Sequence, residues 1–508
     1  MTGVVHWTAW SVFVFFFALV TVLGFAAARW RTGDLNQLHE WGLGGRRFGT
    51  AVTWFLLGGD LYTAYTVIAV PALVYATGAY GFFALPYTII AYPIFYAFAP
   101  RLWNVCHRHG WLTMADFAQG RYANRWLALA VALTGVLATL PYIALQLVGM
   151  QVVFEAMGFG GVRQGAEIAL VVAFVVLAVY TYTSGLRAPA MIAFVKDTMI
   201  YVFVIAAVII VPAKLGGYGA VFAAADRAFA AKGGSAGILL HPGQAMPFAS
   251  LALGSALALF LYPHAATGML AASNANTLRR NAIVLPVYSI MLGLIALMGY
   301  MAIGANVPAK GTAVVPALIA QSFPEWFAGF CYAAIALGAL VPAAIMSIGA
   351  ANLVTRNIWR PFVERDMSAQ RESTVAKITS LAVKFGALAF VVFLPLEYAI
   401  NLQLLGGIWI AQIFPAIAFG LFTRWFRGGA LLAGWAFGMT LGTALSASVG
   451  MKPIFTLPEL GGVYIGLIAL AANIAMAASI TAIANARGLV RAGDVTQTAD
   501  YEDAAASA

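Results

Sequence analysis

From Trp7 to Ala28 the chain runs without a single charged residue, and stretches of similar length and character recur almost to its end. A run of about twenty apolar residues is the length needed to cross a bilayer as a helix. In lipid every backbone N–H and C=O has to be satisfied within the span, which leaves helices or closed barrels. Barrel strands alternate over about ten residues. The runs here are longer and do not alternate, so the pattern predicts an all-α membrane protein. We read about thirteen spans, at 7–28, 50–77, 80–100, 127–157, 165–183, 190–212, 247–270, 282–305, 326–354, 376–395, 401–423, 429–449 and 460–482.

Composition excludes the soluble alternatives. Only 9% of the 508 residues are charged, against about a quarter in a soluble domain. The net charge of +10 reads as the positive-inside bias of a membrane protein rather than a nucleic-acid surface. Threading the spans with the amino terminus outside puts 20 of the 28 Lys and Arg residues in or beside cytoplasmic loops and six outside. That asymmetry also places the carboxyl terminus in the cytoplasm. The first run lacks a charged segment before it and a small-residue cleavage site after it, so it reads as a retained helix. Residues 1–490 form one membrane domain on this reading. The longest external loop, about 213–246, is Gly- and Ala-rich and carries no domain, and 491–508 is an acidic, disordered cytoplasmic tail. The two cysteines, Cys106 and Cys331, lie on different segments and imply neither disulfide nor metal cluster. No nucleophile constellation points to an enzyme, and no obligate protein partner or organic cofactor is implied.

Two spans carry breaks that a lipid-facing helix avoids. One reads Gly58-Gly59-Asp60-Leu61-Tyr62-Thr63, and the other Tyr262-Pro263-His264, where Pro263 removes a helical hydrogen bond. Taking about 50–212 and about 247–423 as two five-helix halves, each break falls in the first helix of its half. Paired interruptions at corresponding positions mark the midplane site of many transporters. Glycines alone would be explained by close packing. Asp60 is not, because an acid at that depth costs ~2.5–3.5 kcal/mol.

Three stretches resemble the sodium:solute symporter family: Tyr180-Thr-Tyr-Thr-Ser184-Gly185-Leu186-Arg-Ala188 running on to Asp197, Leu112-Thr113 through Arg121-Tyr122, and Ala343-Ala344-Ile-Met346-Ser347. Ser184 stands where the family usually has the first of two glycines. Further segments are similar to the family's bacterial monocarboxylate permease branch. They are Ala258 to His264, Arg279-Arg280-Asn281-Ala282, Ser347 to Asn357, and Gln403 to Ile410. The resemblance runs from about residue 8 to 450. It implies a LeuT-like five-plus-five inverted repeat in a bacterial inner (plasma) membrane. It also implies cation-coupled uptake of short monocarboxylates such as lactate and pyruvate, with alanine or acetate in the same range, by alternating access. A sodium-coupled carrier of an amino acid or another small solute, and a membrane sensor that binds solute without moving it, are the rivals.

The resemblance implies a sodium site from backbone and hydroxyl oxygens at Gly58, Leu61, Ala344 and Ser347. The site's second hydroxyl falls on Ile348, which has no side-chain oxygen. Either water or Asp60 completes the shell, or sodium binds weakly and protons drive transport. Asp60 can neutralise a cation, carry the proton, or form an ion pair that positions helices. Asp197 matches an acid of the family motif, and its neighbour Lys196 either partners another helix or snorkels. Lys384, ~12 Å along its span at 1.5 Å per residue, is read as a carboxylate attractor, a counter-ion, or a group that positions its helix or snorkels. The candidate substrate-binding residues are Tyr62, Thr63, Tyr142, Gln146, Tyr262, His264 and Gln412. Isolated Tyr and Gln in membrane bundles also bond simply to neighbouring helices.

Overall fold

The structure is a computed structural model that describes residues 5–30, 33–60, 62–159, 163–393 and 396–503. Among the described residues eleven helices are long and apolar enough to cross a membrane, twelve when the bent pair Pro242–Leu259 and Pro263–Leu270 counts as one span. The remaining expected span, 50–77, is two shorter helical pieces, Thr50–Gly59 and, after a break, a wide π-helical turn at Tyr65–Ala69 that runs on into Val70–Thr77. Helices therefore occupy all thirteen expected regions.

The core is organised around the helix Glu325–Leu353, whose span is enclosed on every side. A helix apolar all round belongs in the interior, and this one packs against Trp7–Ala26, Arg125–Ala156, Arg187–Lys214 and Pro263–Leu270. The first helix is peripheral and keeps Phe15, Val22 and Phe25 exposed where lipid would lie. Polar caps fix where helices begin beyond the apolar band. Asn124 accepts from the N–H groups of Trp126 and Leu127, and Thr113 and Asp116 form a reciprocal capping box for Met114–Tyr122. A short antiparallel hairpin, Ile454–Leu457 with Gly461–Tyr464, leads into the last helix, Ile465–Ala486.

The expected external loop holds a helix without forming a domain, and the tail packs on the rest of the protein. The loop at 213–246 contains a helix, Tyr218–Lys232, that buries Val221, Ala225 and Phe229 at a spacing of four. Residues 491–503, expected to be disordered, instead lie across the ends of several helices. Asp494 pairs with Arg121, Asp500 lies 2.9 Å from His109, and Asp503 lies 2.7 Å from Arg279 and 3.0 Å from Asn104. Tyr501 is buried under Arg101. The tail's acidity is the reason: it neutralises basic residues at the helix ends that it covers. Burial alone would raise the Asp500 and Asp503 carboxyls. For Asp500 the Gln497 N–H, His109 and Arg108, and for Asp503 Asn104 and Arg279, outweigh it and hold them below the usual range.

Candidate functional site

At the first break the helix Thr50–Gly59 ends where the sequence runs out of side chains that favour continuation. Gly58 has no room for one: a Cβ there would lie 2.0 Å from the ring of Tyr288. The buried carboxyl end of this half-helix is met by a cation. Lys196, fully buried on Arg187–Lys214, donates to the carbonyl of Gly59 and pairs with Asp197 at 2.8 Å. An ammonium suits a helix carboxyl end, where the dipole is negative. Tyr288 donates to Asp197 at 2.7 Å and accepts from the hydroxyl of Tyr62 on its backbone carbonyl at 3.2 Å. Beyond the break, Gln146 accepts from the N–H of Ala64 at 3.0 Å and the N–H of Thr66 donates to Thr63 Oγ1 at 3.2 Å.

At the second break the chain leaves Ala245–Leu259, passes Tyr262 in extended conformation, and restarts with Pro263 as the first helical residue. Proline is tolerated there because its missing N–H would have no helical partner. The two pieces meet at 48°. Gly349 of the central helix lies against this restart, since a Cβ on it would come within 2.8 Å of the Pro263 backbone. A cavity of about 20 Å³, room for about one water, touches Gly135, Leu261, Pro263, Thr267, Gly349 and Ile413.

The two breaks face one another through Asp60 and His264. His264 Nε2 is 3.6 Å from Asp60 Oδ2, and both side chains are buried. The imidazole lies beside the rings of Tyr142 and Tyr262, with centroids at 5.7 and 5.3 Å. Asp60 Oδ1 and His264 Nδ1 have no hydrogen-bond partner. Asp60, Tyr142, Tyr262 and His264 thus come together, with Thr63 and Gln146 on the adjoining backbone.

The remaining candidates separate. Ser347 donates to the carbonyl of Ala344 at 2.8 Å and accepts from Ser380 at 3.1 Å; Ser380 in turn accepts from Lys384 at 2.7 Å. Lys384 is fully enclosed, so it does not snorkel. Asp197 belongs to the Lys196–Tyr288 cluster under the first half-helix. Gln412 turns away: it donates to the carbonyl of Ile408 at 3.0 Å and binds Asn473 of the last helix, an inter-helix contact. Leu61 lies outside the described residues. Tyr288 and Ser380 carried no mark in the sequence, although Ser380 stands four residues before Lys384, the spacing that puts two side chains on one helix face.

A profile of the Sodium:solute symporter family matches residues 41–457. The chain is 57% identical over 498 residues to a protein of Rhizobium johnstonii described as a monocarboxylate transport permease, covering 97% of this chain and all of that one. It is 36% identical over 408 residues, 80% of this chain and 81% of the other, to an uncharacterised symporter of Bacillus subtilis. Its fold superposes on a solved Na+-coupled sialic acid symporter in a substrate-bound, outward-open state, with a TM-score of 0.78 over 96% of this chain and 99% of that one at 14% identity. At that identity the likeness is one of fold, and the fold is the LeuT-like one that the family resemblance implies. The chain belongs to the sodium:solute symporter family.

Proposed function

We propose that the protein takes up short monocarboxylates such as lactate and pyruvate by alternating access, with a proton as the coupling ion. The observation that carries the substrate class is the whole-length likeness to the Rhizobium johnstonii permease. The geometry supports the same reading. A carboxylate suits the amino-terminal end of Pro263–Leu270, where the dipole is positive and helix N–H groups point outward. The small cavity beside Pro263 is too tight for a three-carbon acid. Loading a solute there requires the helices to separate, as alternating access demands.

The family name points to sodium, while position 348 points to a proton. A hard cation wants several oxygens, and Ile348 offers none beside Ser347. The hydroxyl of Ser347 is already engaged with Ala344 and Ser380. We place the amino terminus outside and the carboxyl terminus in the cytoplasm of a plasma membrane, following the distribution of Lys and Arg. Uptake of labelled lactate into proteoliposomes, competed with pyruvate, alanine and proline, tests the substrate class. Lactate and pyruvate compete on this reading. Competition by alanine and proline with none by pyruvate would replace it with an amino-acid carrier.

A further inference from the structure

The cavity beside Pro263 has a second end. Besides Pro263 and Thr267 it is lined by Leu112, Thr113 and Met114, where the helix Met114–Tyr122 begins. That start is a capping box. Thr113 Oγ1 accepts from the Asp116 N–H at 3.0 Å, and Asp116 Oδ2 accepts from the N–H groups of Leu112 and Thr113 at 2.9 and 3.3 Å. A capping box satisfies itself locally, yet here both side chains make a further bond, and both go to Asn357. The Thr113 hydroxyl donates to Asn357 Oδ1, and the Asn357 amide donates to Asp116 Oδ1, each at 2.7 Å. Asn357 lies in the π-helical turn Val354–Trp359 that continues the central helix, so one carboxamide ties two distant segments together. Exposure rises outward from it: Asn357 is 6% exposed, the Arg356 side chain 19% and the Arg360 side chain 41%, the two arginines sharing Glu372. The contact thus stands between the cavity and the face that the Lys and Arg distribution assigns to the cytoplasm.

We infer that Asn357 is the latch on the cytoplasmic exit. Its carboxamide holds the start of Met114–Tyr122 against the end of the central helix and so keeps the cavity beside Pro263 closed to that side. The inference rests on the alternating-access reading above. The chemistry suits a contact that is made and broken in every cycle. A carboxamide presents a donor beside an acceptor, matched to the acceptor and donor that the capping box offers. When the segments part, water replaces the partner on each side, and the capping box still holds its helix start. An apolar contact would instead expose hydrocarbon to water at each opening. Turns of the π type recur at functional sites, and this one holds two buried polar atoms without a hydrogen-bond partner, Thr355 Oγ1 and Arg356 Nε. Arg356 Nε stops 3.6 Å from Asp116 Oδ2, beyond hydrogen-bond reach. The closed arrangement is therefore short of two bonds that water entering an opened exit supplies, which keeps the open form within reach of the closed one.

The test is the labelling rate of one thiol, Thr267→Cys on the cavity wall, in the full-length protein. A membrane-impermeant methanethiosulfonate is applied to inside-out and to right-side-out vesicles. The native cysteines, Cys106 and Cys331, are buried, and wild type sets the background. Asn357→Asp puts a carboxylate oxygen where the amide donor met Asp116. It is expected to speed labelling from the cytoplasmic face by about tenfold or more, the factor for losing one hydrogen bond to a charged group, with no gain from the outer face. Asp116→Asn/Asn357→Asp restores the pairing in reverse and is expected to return the rate to within about threefold of the Thr267→Cys parent. Asn357→Asp labelled at the parent's rate overturns the inference. So does a gain from both faces, which means general loosening, or an exchanged pair labelled as fast as Asn357→Asp. If Asn357→Asp fails to reach the membrane, Asn357→Ala removes both bonds without adding charge. It is expected to label about threefold faster or more from the cytoplasmic face alone, and the parent's rate there overturns the inference equally. Labelling needs no solute, so a failed latch leaves the monocarboxylate reading standing. Wild type that takes up neither lactate nor pyruvate contradicts that reading, while the labelling still decides the latch.

Discussion

The two breaks look alike in the sequence and are built in opposite ways. At the first, a helix stops: its carboxyl end is closed by the buried Lys196–Asp197 pair, and Tyr288 fills the space left by Gly58. At the second, a helix starts: Pro263 leads it, and His264 keeps a ring nitrogen unpartnered. The comparison teaches that an interrupted span is not in itself a binding site. One interruption has its helix end closed by an ion pair belonging to the protein, and the other presents a positive helix end; each also keeps one buried polar atom without a hydrogen-bond partner, Asp60 Oδ1 at the first and His264 Nδ1 at the second. On the function proposed above, the solute's carboxylate is assigned to the second break, with the first as its fixed support.

Breaking the support has the largest expected effect. Asp197→Asn leaves the ammonium of Lys196 buried without its counter-charge, at a cost of about 3–5 kcal/mol. It is expected to lower the unfolding temperature in detergent sharply, while the double variant Lys196→Met/Asp197→Asn recovers much of the loss. If the two single substitutions simply add, the pair is not what closes the first break. Gly58→Ala comes next, at about 1–3 kcal/mol for overpacking against Tyr288, with thermal unfolding as the readout and Tyr288→Leu as the partial rescue. Pro263→Ala sharpens the contrast because Pro263 sits at a first helical position, where its missing N–H is no handicap. Stability is expected to change by less than about 1 kcal/mol, against the several expected when a proline lies mid-helix. Lactate uptake is expected to slow, since the restart of the helix is no longer fixed.

The smallest effect concerns the tail, a control remote from both breaks. Asp500 and Asp503 are held below their ordinary values, chiefly against the opposing effect of burial, by the hydrogen bonds and cations described above. Their contribution is therefore complete above the unfolded carboxyl range near pH 4 and fades as pH falls through the folded values. Hydrogen exchange at 491–503 is expected to accelerate on acidification below about pH 4 while the breaks keep their protection. Loss of protection at all three places together would mean that the tail and the breaks open as one unit.

Much of this was legible because it is local. Gly58-Gly59-Asp60 and Tyr262-Pro263-His264 announce their breaks by residue type alone, and the apolar runs announce the spans. The partners were not legible, because each joins segments far apart in the chain. Tyr288 reaches Asp197 across 91 positions, and Gln412 turns to Asn473 across 61, although its polarity suggested a cavity. Lys384 showed its depth but not its direction; its hydrogen bond to Ser380, and through it to Ser347, needed the packing of two helices. The tail's composition argued for disorder, and the basic loop ends it covers lie hundreds of residues earlier.

Lactate accumulation in proteoliposomes, with the pH and sodium gradients imposed independently, tests the central claim most directly. An inwardly directed proton gradient is expected to drive accumulation in the absence of sodium, and lactate entry to carry protons with it. Sodium-stimulated accumulation that survives collapse of the pH gradient would contradict it.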